Sequence, residues 1–291
     1  MNLHTTPPHQ AAGPLAAPQQ QQQPAQWPQQ SAPPEQPAAQ AQPHQQNQRP
    51  LAPPLLHATG VTKSYPVDRG TTVPVLRGID VRLEPGEMLS IVGPSGSGKS
   101  TLLYCLAGLE AADGGEISLA GARLAGLPAA RLARLRRDTL GFVFQSYNLI
   151  PSLTVRENVA LPARLAKRRL PDVAGALAQV GLAAHAHKRP GSLSGGEQQR
   201  VAIARVLAAG PELVFADEPT GALDSATGGQ VLDLLRGYAS GSRSVVLVTH
   251  DLAAAARADR TIVLRDGVVV AELRGASVGE ILAAFESGVR A

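Results

Sequence analysis

The chain is poor in the features that mark whole classes of protein. It has one cysteine, Cys105, among 291 residues, so no internal disulfide can form and a reducing compartment fits. Cys105 reads as a small buried hydrophobe. No run approaches the roughly 18 apolar residues of a membrane-crossing helix. No charged start followed by an apolar core marks a secretory signal. The net charge is only +4, with a pI near 9.6, which is too weak a bias for a nucleic-acid binder. The length allows one large domain or two small ones.

Residues 1–53 lack something else. They are dominated by Gln, Pro and Ala, show no hydrophobic period, and carry only Glu35 and Arg49 as charged residues. Such a segment buries too little apolar surface to offset its ordering entropy, so composition predicts a disordered tail. From Leu55 onward the pattern changes. Strands are predicted at 56–65 and 73–83, the second bent at Gly78. Residues 87–92 form a short apolar run, which reads as a buried strand. Buried strands then alternate with helices, which predicts a mainly parallel sheet covered on both faces. Helices expected at about 128–137, 154–165 and 171–180 make an inserted helical subdomain of about 128–192. Thr154 and Glu157 are spaced as a capping box. Arg131, Arg134, Arg136 and Arg137 cluster, as do Lys167, Arg168 and Arg169; the simplest reading is solvated helix faces.

Gly93-Pro94-Ser95-Gly96-Ser97-Gly98-Lys99-Ser100 follows the 87–92 strand and precedes a helix that opens near Thr101. This is the phosphate-binding loop, G-x-x-x-x-G-K-[ST]. The glycines let backbone N–H groups turn toward an anion, Lys99 carries charge to the β- and γ-phosphates of a nucleotide, and Ser100 offers a hydroxyl to Mg²⁺. A second apolar strand, 213–216, ends in Asp217-Glu218. Asp217 can hold Mg²⁺, while Glu218 is expected to point elsewhere by strand alternation and act on the attacking water.

The third stretch is Leu193-Ser194-Gly195-Gly196-Glu197-Gln198-Gln199-Arg200. It resembles the signature of ABC-type ATPases. Two glycines at a helix start present N–H groups to an anion, which is redundant if the phosphate loop of the same chain holds the whole nucleotide. The resemblance resolves this with a head-to-tail homodimer, in which Ser194, Gly195 and Gly196 of one copy cap the γ-phosphate bound by the other. It further implies that Tyr65 stacks on adenine and that Gln145 senses Mg²⁺ and the membrane partner. Ala222-Leu223-Asp224 would cross the dimer interface, and His250 would contact the γ-phosphate.

The resemblance covers roughly residues 55–288. It implies an α/β fold of the P-loop NTPase, ABC nucleotide-binding type, with an antiparallel β subdomain. The expected activity is ATP hydrolysis that drives a separate integral-membrane permease from the cytoplasmic face of the membrane. The stretches at 142–158 and 74–79 are similar to the lipoprotein-release and macrolide-export group, which implies export of a lipoprotein, lipid, peptide or drug-like substrate. The alternative is a cell-division or cell-wall signalling complex built on the same cassette. A chromosome ATPase is disfavoured: only about ninety residues separate the phosphate loop from the signature, without sustained heptads.

Overall fold

The computed structural model describes residues 54–68 and 70–287. The expected tail, residues 1–53, lies outside the described residues. The first layer is an antiparallel sheet. Strands β1 (Leu56–Asp68) and β2 (Thr71–Leu83) form a long hairpin, and β1 also pairs with β4 (Gly114–Leu119), which pairs with the short β5 (Ala122–Arg123). The expected bend at Gly78 is a bulge. The register slips between Val61↔Ile79 and Thr62↔Arg77, and Gly78 takes φ +87°, where a side chain would be strained.

The second layer is a six-stranded sheet in the order β10-β9-β3-β8-β7-β6. It comprises β3 (Met88–Val92), β6 (Leu140–Val143), β7 (Leu213–Asp217), β8 (Ser244–Val248), β9 (Arg260–Arg265) and β10 (Val268–Arg274). All neighbours are parallel except β9 and β10, which form a hairpin. Every residue of β3, β7 and β8 is buried. That explains their near-continuous apolar runs, because a parallel sheet is covered on both faces.

The two faces bury into different cores. Leu89, Ile91, Phe215, Val246 and Val248 pack with the antiparallel sheet and with helix α1 (Lys99–Leu106). Val214, Ala216, Val245 and Leu247 face a helical layer. That layer contains α3 (Val155–Leu165), α4 (Val173–Gln179), α5 (Gly195–Ala209) and α6 (Ser225–Tyr238). Helix α2 (Ala129–Thr139) precedes β6, while α7 (Leu252–Ala255) and α8 (Val278–Ser287) close the β9–β10 side.

The inserted helices have no core of their own. Val155, Val159, Val173 and Leu177 join the same cluster as Val201 and Val214. Two sets of hydrogen bonds fix the start of α3. Thr154 Oγ1 accepts the Glu157 N–H at 3.2 Å while Glu157 Oε2 accepts the Thr154 N–H at 2.8 Å, the predicted capping box. Asn158, fully buried, accepts from Ile150 N–H and donates to the carbonyls of Ile150, Leu153 and Thr154, pinning the loop before α3. The arginine cluster on α2 is not all solvated face: Arg136 donates to Gly108 O just past α1, at 2.5 Å.

Candidate active site

The parallel register brings the predicted chemistry to one edge. Ile91 and Asp217 both pair with Val248, and Val143 pairs with Ala216. The loops that follow these strands therefore emerge side by side at the carboxyl ends, where open α/β sheets bind ligands. They carry the phosphate loop, Gln145, Glu218 and His250.

The phosphate loop is shaped by close backbone approach. A Cβ on Gly93 would stand 2.1 Å from Leu264 O and 2.6 Å from Ser97 Oγ. Gly98 caps α1 at φ +99°, and a Cβ there would lie 2.9 Å from Val75 O of β2. Gly96 also has positive φ, while Pro94, Ser95 and Gly96 are exposed at the tip. Ser97 Oγ is buried with no partner among the described residues. Lys99 Nζ folds back over the loop and donates to Gly93 O and Pro94 O, each at 2.9 Å. Burial lowers its pKa from the ordinary 10.5, and the Glu218 and Asp217 carboxylates oppose that shift. A flexible ammonium held by two carbonyls, beside an unpartnered hydroxyl and turned-in glycines, fits an anion such as a triphosphate. Thr101 is half-buried in the first turn of α1.

Asp217 is buried at the end of β7. Its Oδ1 accepts from Ser100 Oγ at 3.2 Å and its Oδ2 from Tyr104 Oη at 3.1 Å. Burial raises its pKa, and those two hydrogen bonds work against the rise. One carboxylate and one hydroxyl side by side form an all-oxygen donor pair. Such a pair suits Mg²⁺, which takes one or two protein oxygens and fills its remaining positions with phosphates and water.

Glu218 does diverge from Asp217, but not by strand alternation. It lies just past β7 at φ +49°, a left-handed conformation rare for a non-glycine residue. Its N–H donates to Val248 O at 2.9 Å. Its carboxylate accepts from Thr249 Oγ1 at 3.2 Å and lies 2.8 Å from His250 Nδ1. A carboxylate only accepts, so Nδ1 carries the hydrogen. The His250 ring is 75% exposed while the Glu218 side chain is 14% exposed.

The signature lies elsewhere on the surface. Ser194 caps α5 in a second capping box, accepting the Glu197 N–H at 3.2 Å while Glu197 Oε2 accepts the Ser194 N–H at 2.8 Å. A Cβ on Gly195 would meet Tyr147 Oη at 2.9 Å, and one on Gly196 would meet Leu223 and Ala222 O at 3.2 and 3.3 Å. Ser194, Gly195 and Gly196 thus share an open recess of about 580 Å³ with Ala222, Leu223 and Asp224, with none of the phosphate loop in its walls.

Tyr65 sits in β1 opposite Val73, two residues from the Val75 carbonyl that abuts Gly98. Lys63 Nζ lies 5.3 Å from its ring centroid. Gln145 is exposed two residues past the end of β6. Tyr104 and Thr249 were not singled out in the sequence. The signal for Tyr104 is its spacing: it lies four residues after Ser100 on one helix and so on the same face.

A family model for the ABC transporter matches residues 76–221. The chain belongs to the ABC transporter family. This cassette is an ATPase of the ABC type, and its fold is that of solved cassettes. It superposes with TM-score 0.72 and 38% identity on the dimeric, post-hydrolysis ATP-binding cassette MJ0796 bound to ADP and Pi, covering 76% of this chain and 99% of that one. A second dimeric structure of MJ0796, a bacterial ABC transporter cassette, gives TM-score 0.71 at 39% identity, with the same coverage. Among curated relatives, the pyoverdine export ATP-binding/permease protein PvdT of Pseudomonas syringae pv. syringae is 48% identical over 223 residues, 75% of this chain and 34% of that protein. The macrolide export ATP-binding/permease protein MacB of Sodalis glossinidius is 47% identical over 225 residues, 76% of this chain and 34% of that protein. The chain therefore spans about a third of the length of the curated relatives it matches. Among the described residues, no helix is long and apolar enough to cross a membrane.

Proposed function

We propose that this cassette hydrolyses Mg-ATP in a head-to-tail pair of copies and thereby powers export through an integral-membrane permease on a separate chain. The observation that carries the reading is the split site. The anion-binding N-terminus of α5, with Ser194, Gly195 and Gly196, opens into a recess with Ala222–Asp224 and away from the phosphate loop. Each half is an incomplete phosphate site, and a second copy would complete both.

In this reading the backbone of Gly93–Gly98 and Lys99 bind the phosphates, Tyr65 stacks on adenine, and Thr101 extends the loop's contacts. Ser100, Asp217 and Gln145 would hold Mg²⁺, whose charge offsets that developing on the phosphates. Glu218 takes the proton of the attacking water. His250, held by Glu218 at Nδ1, turns its exposed Nε2 side toward the γ-phosphate. The cassette occupies residues 54–288.

The membrane partner has a surface to dock on. An apolar groove of about 370 Å³ is lined by Leu140, Phe142, Phe144, Leu161, Leu165 and Val206 and flanked by Arg168 and Arg169. Phe144 immediately precedes Gln145, so occupancy of the groove bears on the site. The substrate is a lipoprotein, lipid, peptide or drug-like molecule, after the macrolide and pyoverdine exporters among the relatives. The cassette works from the cytoplasmic face of the membrane. Co-purification from native membranes tests this: an integral-membrane permease that stimulates ATP hydrolysis is expected. A cassette that turns over ATP and is never recovered with a membrane protein would contradict the export reading.

A further inference from the structure

We propose that Tyr104 is a positioning residue for the cation site, acting through Asp217; this rests on the reading that Ser100 and Asp217 hold Mg²⁺. The geometry is a three-residue clamp. Ser100 and Tyr104 stand one turn apart on α1 and reach the two oxygens of one carboxylate, Ser100 Oγ at 3.2 Å from Oδ1 and Tyr104 Oη at 3.1 Å from Oδ2. Asp217 is only 3% exposed, so water gives its carboxylate little hydration. Among the described residues these two hydroxyls are its side-chain hydrogen-bond donors.

The two hydroxyls differ in what they can give up. Ser100 and Asp217 would hold a cation at the expense of the Ser100 hydrogen bond, because both oxygens would be needed as its ligands. The phenol is on the other carboxylate oxygen, where it limits rotation of the carboxylate and keeps Oδ1 toward Ser100. A carboxylate oxygen only accepts, so at Oδ2 the phenol is the donor. Groups that orient metal ligands in this way typically change metal affinity by roughly 10–100-fold when removed.

Tyr104→Phe removes the donor and keeps the ring. The test is calorimetric affinity for a non-hydrolysable ATP analogue, with chelator and with Mg²⁺, alongside the melting temperature without nucleotide. In Tyr104→Phe we expect the chelator affinity of the parent, a melting temperature lowered by the donor lost to buried Asp217, and a gain from Mg²⁺ smaller by about tenfold. Asp217→Asn, measured in parallel, tests the underlying reading and should lose most of the Mg²⁺ gain. If Asp217→Asn loses the gain while Tyr104→Phe keeps it, Tyr104 only packs and the inference is overturned. An equal loss with and without Mg²⁺ in Tyr104→Phe also overturns it, since Tyr104 would then shape the loop and not the cation site. If Asp217→Asn keeps the full gain, the cation reading fails and the inference falls with it.

Discussion

Glu218 and His250 meet across the ends of two neighbouring parallel strands, with Oε1 2.8 Å from Nδ1. The contact depends on Glu218 leaving β7 at φ +49°, which turns its carboxylate toward β8 while Asp217 stays with α1. The adjacent acids are thereby assigned to different partners, one beside Ser100 and one beside His250.

That contact predicts the behaviour of His250→Ala. The variant should bind ATP with nearly the parent affinity, because the phosphate loop is untouched. Its kcat should fall by about 10²-fold or more, the scale on which positioned proton-handling groups act. Steady-state ATPase assays paired with equilibrium nucleotide binding check this. Unchanged kcat would remove His250 from the site.

Gly93→Ala should abolish nucleotide binding or the fold around the loop. The added Cβ would stand 2.1 Å from the Leu264 carbonyl, a backbone atom of the neighbouring strand that cannot swing aside. Gly121→Ala is the comparator: unlike Gly93 it has a positive φ, and its Cβ would meet nothing within 4 Å. It should cost only the strain of the left-handed backbone, about 1 kcal/mol. Thermal melts with and without ATP separate the two, and equal effects would argue against close approach as the reason for Gly93.

The signature cap carries a pH dependence. The Ser194 N–H, donating to Glu197, is the main cause that lowers the Glu197 pKa from its ordinary 4.5, with the Ser194 hydroxyl, His185 and Lys188 adding to it. A carboxylate depressed in the fold stabilises above its unfolded pKa, and that contribution is lost as pH falls through the folded value. The melting-temperature advantage of the parent over Glu197→Gln should therefore be full at neutral pH and shrink progressively below about 4.5. A constant gap over that range would show that the charge does not support the cap.

Much of this was legible because it is local. The phosphate loop, the Thr154–Glu157 capping box and the apolar strands 88–92, 213–217 and 244–248 are each dictated by residues a few positions apart. Gly78 was legible as a bend because glycine is the residue a bulge with positive φ requires. The strand order was not legible, since β3 pairs with β8 and β9, more than 150 residues away in sequence. Neither was the left-handed Glu218, where the Val248 carbonyl and the Thr249 and His250 side chains override the preference of a glutamate. Tyr104 read as an ordinary helix residue, because its partner Asp217 comes 113 residues later. The helices near 154–165 and 171–180 were legible from their periodicity and caps, but not that they share one core with the sheet through Val159, Leu177 and Val201.

The central claim is that two half-sites from two copies enclose each ATP. Glu218→Gln keeps the shape of the side chain and removes its ability to take a proton, while Lys99, Ser100 and Asp217 still hold nucleotide. Size-exclusion chromatography with light scattering, with and without Mg-ATP, is the direct measurement, made on the cassette alone and with its co-purified permease. The account predicts that Glu218→Gln becomes a dimer only when Mg-ATP is present. Adding Ser194→Arg should return it to monomer while ATP binding persists, because the arginine fills the recess the γ-phosphate end must enter. A Glu218→Gln cassette that binds Mg-ATP yet shows no ATP-dependent pairing, alone or with the permease, would contradict the account.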